Sequence, residues 1–368
     1  GVMDFVAGIG KKECTIQYDY PAERFLPMMQ LTSEAMYYPS APGEAVEPEY
    51  GCDVSYVSHA GVAFDRLLAE IRAQTPEPGI QRVIDGVAEE LNQRCCRGDF
   101  VFHREQMEAV LDEHERRVGI QLRAMHGREG LLEHLLLRLN SPLMRQTIAG
   151  WLLDGGWNLQ FYGQGWQENP RFARHARGVA SNGDQLRTIY QGSAINLQIQ
   201  PFGAVHSRLL DGLASGGFFL IFAGPVDQAG RLLKQLHDYV QARGIDDCET
   251  LLTSPDETVQ SWIRQLRELT TWDMRHRQFD LLVTLRYAAE ADFLSFADTA
   301  IPHFDEVAFR TRDELLNKVA YYLSHQAERR SLAAAMRSGI LERFTYRGGA
   351  RRMLDFVCGA WVRNDRRE

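Results

Sequence analysis

The sequence lacks the long hydrophobic runs and the leader that would direct a chain into or across a membrane. Its longest apolar run, residues 218–223, is far shorter than the roughly 18–20 residues that a bilayer-spanning helix needs. The first residues, GVMDFVAGIG, have neither the basic region nor the small-residue cleavage site of a secretory signal peptide. These two absences predict a cytoplasmic protein without a membrane span.

Cysteine, metal-ligand spacing and surplus positive charge are also scarce. The six cysteines form no CxxC pair and no Cys/His spacing typical of a metal site, which favours reduced thiols and predicts no bound metal. The formal net charge of −8 argues against a general nucleic-acid-binding protein, because such proteins need a basic surface. A local basic pocket for a phosphorylated small molecule remains compatible with this charge.

The chain does contain strand-length apolar runs separated by helical patterns. The strand-like runs are CTIQY, CDVSYVSH, NLQFYG, INLQIQ, FFLIF, DFLSF and VAFR. Residues 62–153 and 225–285 instead carry apolar side chains at the three- and four-residue spacing of amphipathic helices. This alternation predicts an α/β fold with a parallel sheet and helices on its faces.

The loops that follow the predicted strands nominate a ligand site, because ligands of open parallel sheets bind at the carboxyl ends of the strands. His59 closes the first of these strands, and Gly163, Gln164 and Gly165 follow NLQFYG. A short helix begins near His206 after INLQIQ. Its free N–H groups and dipole favour an anion there, and Arg208 adds a charged donor for a phosphate.

Each of these residues also has a purely structural interpretation. Arg208 and Asp211 are three residues apart and are compatible with a surface ion pair. His206 is compatible with a helix-start residue that bonds the backbone, and the pair Gly216–Gly217 with a helix stop. The acidic and histidine residues between 103 and 115 alternate with basic ones, which favours a solvated helix face over a metal site.

Three segments resemble the CgeB-like (spore maturation protein B-like) glycosyltransferases. They are FYGQGW, GVASNGDQLRTIYQGSAINLQIQPFGAVHSRLLDGLASGGFFL and DELLNKVAYYLSHQAERRSLAAAMRSGILERFTY. The resemblance implies a bacterial enzyme of the GT-B superfamily and a Rossmann-like nucleotide-sugar domain at 51–345, with helical insertions at about 62–153 and 225–285. Residues 1–50 then resemble the tail and linker of an otherwise missing N-terminal acceptor domain. The pattern of residues 346–368 itself predicts a final helix after a glycine hinge.

The resemblance also implies roles for individual residues in binding a nucleotide-diphosphate sugar. Asp211 stands where the family binds the ribose hydroxyls, and the backbone of residues 205–207, including Ser207, stands with Arg208 where the diphosphate is held. The loop 163–165 would border the donor, and Val179 would lie beside the base. The activity implied is metal-independent sugar transfer to an unknown acceptor, without a cofactor.

Two departures from the family pattern bear on this implication. The position eight residues before Asp211, where many retaining relatives carry an acid, is Gly203, and the ribose acid is Asp where Glu is usual. No residue of the chain is therefore nominated as the catalytic base. Two alternatives stay open: a nucleotide-sugar epimerase of the same architecture, and a non-catalytic scaffold whose helical insertions bind a partner protein.

Overall fold

The computed structural model describes residues 5–8, 19–41, 47–122, 127–269, 285 and 296–365. The predicted strand CTIQY, nearly all of DFLSF and the end of the 225–285 helical block lie outside the described residues. None of the described helices combines the length and the apolar composition needed to cross a bilayer.

Five parallel strands form the central sheet, as the sequence predicts. They are β3 (Cys52–Val57), β4 (Leu159–Tyr162), β5 (Ser193–Gln198), β6 (Phe219–Phe222) and β7 (Ala308–Phe309). Their spatial order is β4-β3-β5-β6-β7. A separate parallel pair joins β1 (Val6–Gly8) to β2 (Phe25–Pro27). The strand INLQIQ begins two residues earlier than its apolar run, at Ser193, and ends at Gln198.

Helices fill the connections between these strands. The helices are α1 (Phe64–Gln74), α2 (Pro78–Cys96), α3 (Arg104–Val118), α4 (Arg128–Glu133), α5 (Ser141–Gly150), α6 (Asp184–Gly192), α7 (Ser207–Ala214), α8 (Ala229–Arg243), α9 (Cys248–Leu252), α10 (Glu257–Leu269), α11 (Ala297–Ala300), α12 (Phe304–Val307), α13 (Arg312–Ser324), α14 (Gln326–Arg343) and α15 (Tyr346–Asp365). A π-helical turn spans His134–Asn140, and 3-10 turns span Ala22–Arg24, Pro48–Tyr50, Trp151–Gly155, Ala173–His175 and Val226–Gln228. The final helix begins at Tyr346, so the glycine pair predicted to form a hinge lies inside its first turn.

The two faces of the sheet are covered by different parts of the chain. Phe222 packs on Phe100 of the helical block between β3 and β4, with ring centroids 5.7 Å apart. Phe219 packs on Tyr190 of α6 at 5.5 Å and against Gly212 of α7. Residues three apart on a strand point to opposite faces. The 62–153 block therefore covers one face of the sheet, and α6 and α7 cover the other.

The two helical blocks differ in how they are packed. Buried side chains of the 62–153 block, such as Val83, Met107 and Ile148, belong to the same apolar core as the sheet. The helices α8–α10 bury a second, smaller core around Leu236 and Ile263. The first block is thus an integral layer of the domain, because it supplies one wall of the main core.

The predicted linker before β3 packs on the domain where it is described. Tyr37 is buried, and Ser40 donates to the side chain of Gln191 at 2.6 Å. Upstream of it, Thr32 forms an isolated parallel bridge with Thr345. Residues 28–41 therefore run across α7 and the start of α15, and residues 42–46 lie outside the described part of the chain.

Candidate anion-binding site at the carboxyl end of the sheet

The strand order reverses direction at the carboxyl ends of β3 and β5, and the topology predicts a crevice there. These strands are neighbours, but the chain leaves β3 towards β4 on one side and leaves β5 towards β6 on the other. In open parallel sheets a ligand binds outside the strand ends at such a reversal. The loops that meet here are residues 58–61 and residues 199–206.

Helix α7 begins at this crevice, as the sequence predicts. His206 is the N-cap residue, and its Nδ1 atom accepts from the backbone N–H of Arg208 at 3.3 Å. Gln30 of the N-terminal segment accepts from the backbone N–H of Ser207. The apolar stripe Leu209, Leu210 and Leu213 is fully buried. The helix start is therefore fixed at the sheet by its buried face and is capped by two side chains. The N–H groups of Ser207 and Arg208, which the sequence predicts to be free for an anion, are already bonded within the chain.

Arg208 crosses from α7 to the end of the neighbouring strand. Its Nη1 atom donates to the carbonyl oxygen of Val57, the last residue of β3, at 3.0 Å. Its Nε atom is buried and has no hydrogen-bond partner. Within the described part of the chain Arg208 forms no ion pair, so the surface pairing with Asp211 that the spacing allows is not made. The guanidinium thus stands at the crevice with unused donor capacity.

His206 is a neutral donor beside this guanidinium. Burial, together with the charge of Arg208, lowers the pKa of His206 to about 4. Since Nδ1 accepts the hydrogen bond that caps the helix, the proton of the neutral ring is on Nε2. No hydrogen bond of Nε2 is formed among the described residues. His206 therefore acts as an N-cap, which is its structural interpretation, and also presents one N–H group.

Asp211 lies one turn further along α7 and is held by the N-terminal segment. Its Oδ1 atom accepts from the Thr32 hydroxyl at 2.6 Å. Burial raises the pKa of Asp211 to about 6, and the hydrogen bond from Thr32 opposes that shift. The predicted ribose contact would use the same carboxylate, so that role stays a prediction.

The loops after β3 and β4 are joined to each other. The backbone N–H of Gln164 donates to Nδ1 of His59 at 2.9 Å, and the N–H of Ala60 donates to the carbonyl oxygen of Gln164 at the same distance. The indole of Trp166 donates to the carbonyl oxygen of Ser58 at 2.6 Å. Both loops therefore satisfy much of their hydrogen-bonding capacity internally.

The two glycines of the second loop are required by this packing. A Cβ atom at Gly163, where φ is +133°, would lie 2.3 Å from the carbonyl oxygen of Ser58. A Cβ atom at Gly165, where φ is +89°, would lie 2.4 Å from that of Gly61. The missing side chains let one loop approach the other. Their predicted contact with a donor remains a prediction.

Val179 lies beyond the edge of the sheet. It is exposed (58 %), and the neighbouring Gly178 accepts from the backbone N–H of Gly163 at 2.7 Å. The segment runs alongside β4, and β3 separates β4 from β5. Its end turns back, because the N–H of Gly183 donates to the hydroxyl of Tyr37 at 3.3 Å. The predicted place of Val179 beside the base stays a prediction.

Sequence reasoning missed Asp227, which joins the loops after β5 and β6. Its fully buried carboxylate accepts from the backbone N–H groups of Ala204 at 2.6 Å and Gly224 at 3.0 Å. Burial raises the pKa of Asp227 to about 7 in opposition to these hydrogen bonds. A Cβ atom at Gly203 would lie 3.9 Å from this carboxylate. The only signal in the sequence is a lone Asp in the turn that follows FFLIF.

The acidic and histidine residues of α3 are only partly exposed, whereas the sequence predicts a solvated helix face. Glu115 and His114 are buried. Arg128 bridges Glu115 and Asp112, while His114 contacts Glu90 at 2.9 Å. Within the described residues, no group of three or more His, Cys, Asp and Glu side chains is arranged to hold a metal ion.

A second basic feature lies at the opposite end of the sheet. A cavity of about 560 Å³ near the starts of β5 and β6 is lined by Arg329, Arg330 and Arg337. Arg337 donates to the carbonyl oxygen of Ala214, the last residue of α7, at 2.9 Å, and Arg329 donates to that of Tyr322. Arginines at these positions satisfy carbonyl groups of helix ends, which accounts for two of the three charges.

Comparison with known proteins adds one finding to this geometry. Residues 296–355 match a family described as glycosyl transferase-like. No curated protein and no solved structure shows a significant match to the chain. The matched segment contains β7 and α11–α14, and α14 packs directly on α7. A glycosyltransferase-like segment therefore supports the helix that presents His206 and Arg208.

Proposed function

We propose that this chain carries the donor site of a glycosyltransferase that transfers a sugar from a nucleotide-diphosphate sugar to an acceptor nucleophile. The observation that carries the proposal is Arg208, whose guanidinium reaches the end of β3 at the crevice without a carboxylate partner. The family match of residues 296–355 supports glycosyl transfer in general. The CgeB-like subfamily, the GT-B architecture and the nature of the donor belong to the proposal.

The proposed chemistry follows from where charge develops during the reaction. As the bond between the sugar and the diphosphate breaks, negative charge accumulates on the leaving diphosphate. Arg208, the Nε2–H group of His206 and the positive end of α7 would lie next to that charge and stabilise it. We propose that these groups take the part that a metal ion takes in metal-dependent transferases. Asp211 would contact the ribose through the carboxylate oxygen that Thr32 leaves available.

The proposal is tested by binding and turnover with a panel of UDP, GDP, CDP and dTDP sugars. Calorimetry measures affinity, and chromatography with mass spectrometry measures release of the nucleoside diphosphate. We expect one class of base to bind. Arg208→Ala should weaken that binding by about 1.5–3 kcal/mol, the value of a lost hydrogen bond to a charged group. Arg138→Ala, a change at an exposed arginine of the 62–153 block, is the matched control.

The outcomes separate the proposal from its alternatives. Binding by none of the donors contradicts the donor site. Conversion of the donor into its epimer without any acceptor identifies an epimerase. Tight donor binding without turnover, in the presence of candidate acceptors, identifies a nucleotide-binding scaffold.

A further inference from the structure

Arg145 is a second arginine whose environment lacks a counter-charge. It lies on α5, in the helical block that covers the opposite face of the sheet from α7. The adjacent Gln146 donates to the carbonyl oxygen of Ala60 at 3.0 Å, which anchors this part of α5 to the loop after β3. The Nε atom of Arg145 is buried and has no hydrogen-bond partner. Arg145 also forms no ion pair in the described part of the chain.

Arg145 and Arg208 approach the same end of β3 from the two faces of the sheet. Burial lowers the pKa of Arg145, Tyr56 of β3 opposes this shift, and the positive charge of Arg208 adds to it. Burial likewise raises the pKa of the fully buried Tyr56, and the charges of both arginines oppose that shift. Pro142, one turn before Arg145 on α5, is so close to the loop after β3 that a Cβ atom at Gly61 would lie 2.8 Å from it. Arg208 bonds Val57 at the end of the same strand, so both arginines lie beside the end of β3.

Two partly buried guanidinium groups without a carboxylate partner carry a free-energy cost when no ligand is bound. Removing a charge from water is costly unless a counter-charge and hydrogen bonds replace the lost hydration. Here the two groups also repel each other, while each retains an unused buried Nε–H donor. A bound group with at least two negative charges and several acceptor oxygens would satisfy both arginines at once. A diphosphate has that chemistry.

We propose that Arg145 and Arg208 together bind the diphosphate group of the substrate, one from each face of the sheet at the end of β3. This inference rests on the proposed function for the identity of that substrate, but the binding of a diphosphate group can be tested without it. It gives the 62–153 block a direct part in the site. Arg145 then acts as a substrate-binding residue that the sequence does not reveal.

The test uses inorganic pyrophosphate and orthophosphate as probes in calorimetry on the full chain. Wild type should bind pyrophosphate at least tenfold more tightly than orthophosphate, because pyrophosphate offers the two arginines more negative charge and more acceptor oxygens. Arg145→Met and Arg208→Met should each reduce the affinity for pyrophosphate at least tenfold. Arg138→Met, on an exposed side chain of the same helical block, should change it less than twofold. Pyrophosphate binding by Arg145→Met at wild-type affinity would overturn the inference.

A stability measurement distinguishes binding from a structural role for Arg145. Replacing a buried unpaired charge with an apolar side chain of similar size is often neutral or stabilising. Arg145→Met should therefore unfold at the same temperature as wild type or higher, although it no longer binds pyrophosphate. Arg145→Lys should retain an intermediate affinity. Arg145→Met could instead unfold at a lower temperature than wild type, with Arg145→Lys binding pyrophosphate as weakly as Arg145→Met. That result would contradict the proposed binding by Arg145 and Arg208.

Repeating the calorimetry with the nucleotide-sugar panel keeps the two proposals apart. Loss of pyrophosphate binding in both Met variants, with no nucleotide sugar bound by wild type, would support the arginine pair and contradict the donor proposal. Nucleotide-sugar binding that depends on Arg208 and is unchanged by Arg145→Met would support the donor proposal and contradict the pair.

Discussion

Two regions at the carboxyl end of the sheet look alike in sequence and differ in structure. The loops 58–61 and 163–165 and the loop that leads into α7 all follow strands and contain glycine and polar residues. The first two loops are bonded to each other through Gln164 and His59. The third brings the guanidinium of Arg208 to the crevice with a buried Nε donor that has no partner. We call them the closed loop pair and the cationic loop.

Polar residues after a strand thus indicate a binding site only where part of their hydrogen-bonding capacity is unused. Buried polar groups are almost always paired. A group left without a partner beside a crevice therefore indicates a missing ligand more strongly than residue type does. The closed loop pair also holds a buried atom without a partner, the Oγ of Ser58, but that group is a neutral hydroxyl. The cationic loop offers a charged donor, with Arg145 facing it from the other side of the sheet, and is therefore the region expected to bind an anion.

The largest loss of stability is expected from adding a side-chain atom where the two loops of the closed loop pair touch. Gly163→Ala should lower the free energy of unfolding by about 3 kcal/mol or more, because its Cβ meets a backbone oxygen and its φ disfavours L residues. Gly178→Ala is the matched control, since its φ is +78° but no atom lies within 4 Å of the added Cβ. That variant should lose only about 1–2 kcal/mol. Chemical denaturation that gives equal losses would break the account of the closed pair.

The free energy of unfolding should depend on pH through Asp227, whose carboxylate accepts from the backbone N–H of Ala204 in the cationic loop. The pKa of Asp227 is about 7 in the folded chain and about 3.8 when unfolded, so the folded state binds more protons between these values. The contribution of Asp227 to the free energy of unfolding therefore falls as pH rises from about 4 to 7. Asp227→Asn should remove that fall, which is on the order of 3 kcal/mol.

The control for this prediction is Asp313→Asn, which changes a carboxyl group that is 87 % exposed. Its unfolding free energy should follow the wild-type pH dependence. Denaturation curves recorded at intervals from pH 4 to pH 8 give the comparison. An Asp227→Asn profile parallel to that of wild type would show that this carboxylate does not hold its proton in the folded chain.

A smaller loss of affinity for pyrophosphate should distinguish His206 from His59. Asn can replace the cap at His206, because its side chain is a good N-cap acceptor, but it lacks the proposed Nε2–H contact. His206→Asn should weaken pyrophosphate binding by about 0.5–1.5 kcal/mol, the net value of one hydrogen bond. His59→Asn, in the closed loop pair, should change that affinity less than twofold. Equal losses in calorimetry would remove the distinction between the two regions.

The sequence predicts the scaffold better than the site. Strand-length runs and their alternation with helices correctly predict the parallel sheet, and the residues around Ser207 predict the start of α7. Asp227 and Arg145 escape prediction, since each acts through long-range packing: Asp227 joins the loops of two strands, and Arg145 reaches the crevice from a distant helix. The glycines of the closed loop pair are visible in the sequence, but the backbone contact that requires them is not.

The diphosphate site is tested most directly by a crystal structure of the chain with the nucleoside diphosphate that binds most tightly. We expect the diphosphate at the ends of β3 and β5, within hydrogen-bonding distance of Arg208 and Arg145. A diphosphate bound instead in the cavity lined by Arg329, Arg330 and Arg337, or at the closed loop pair without contact to Arg208, would contradict this expectation.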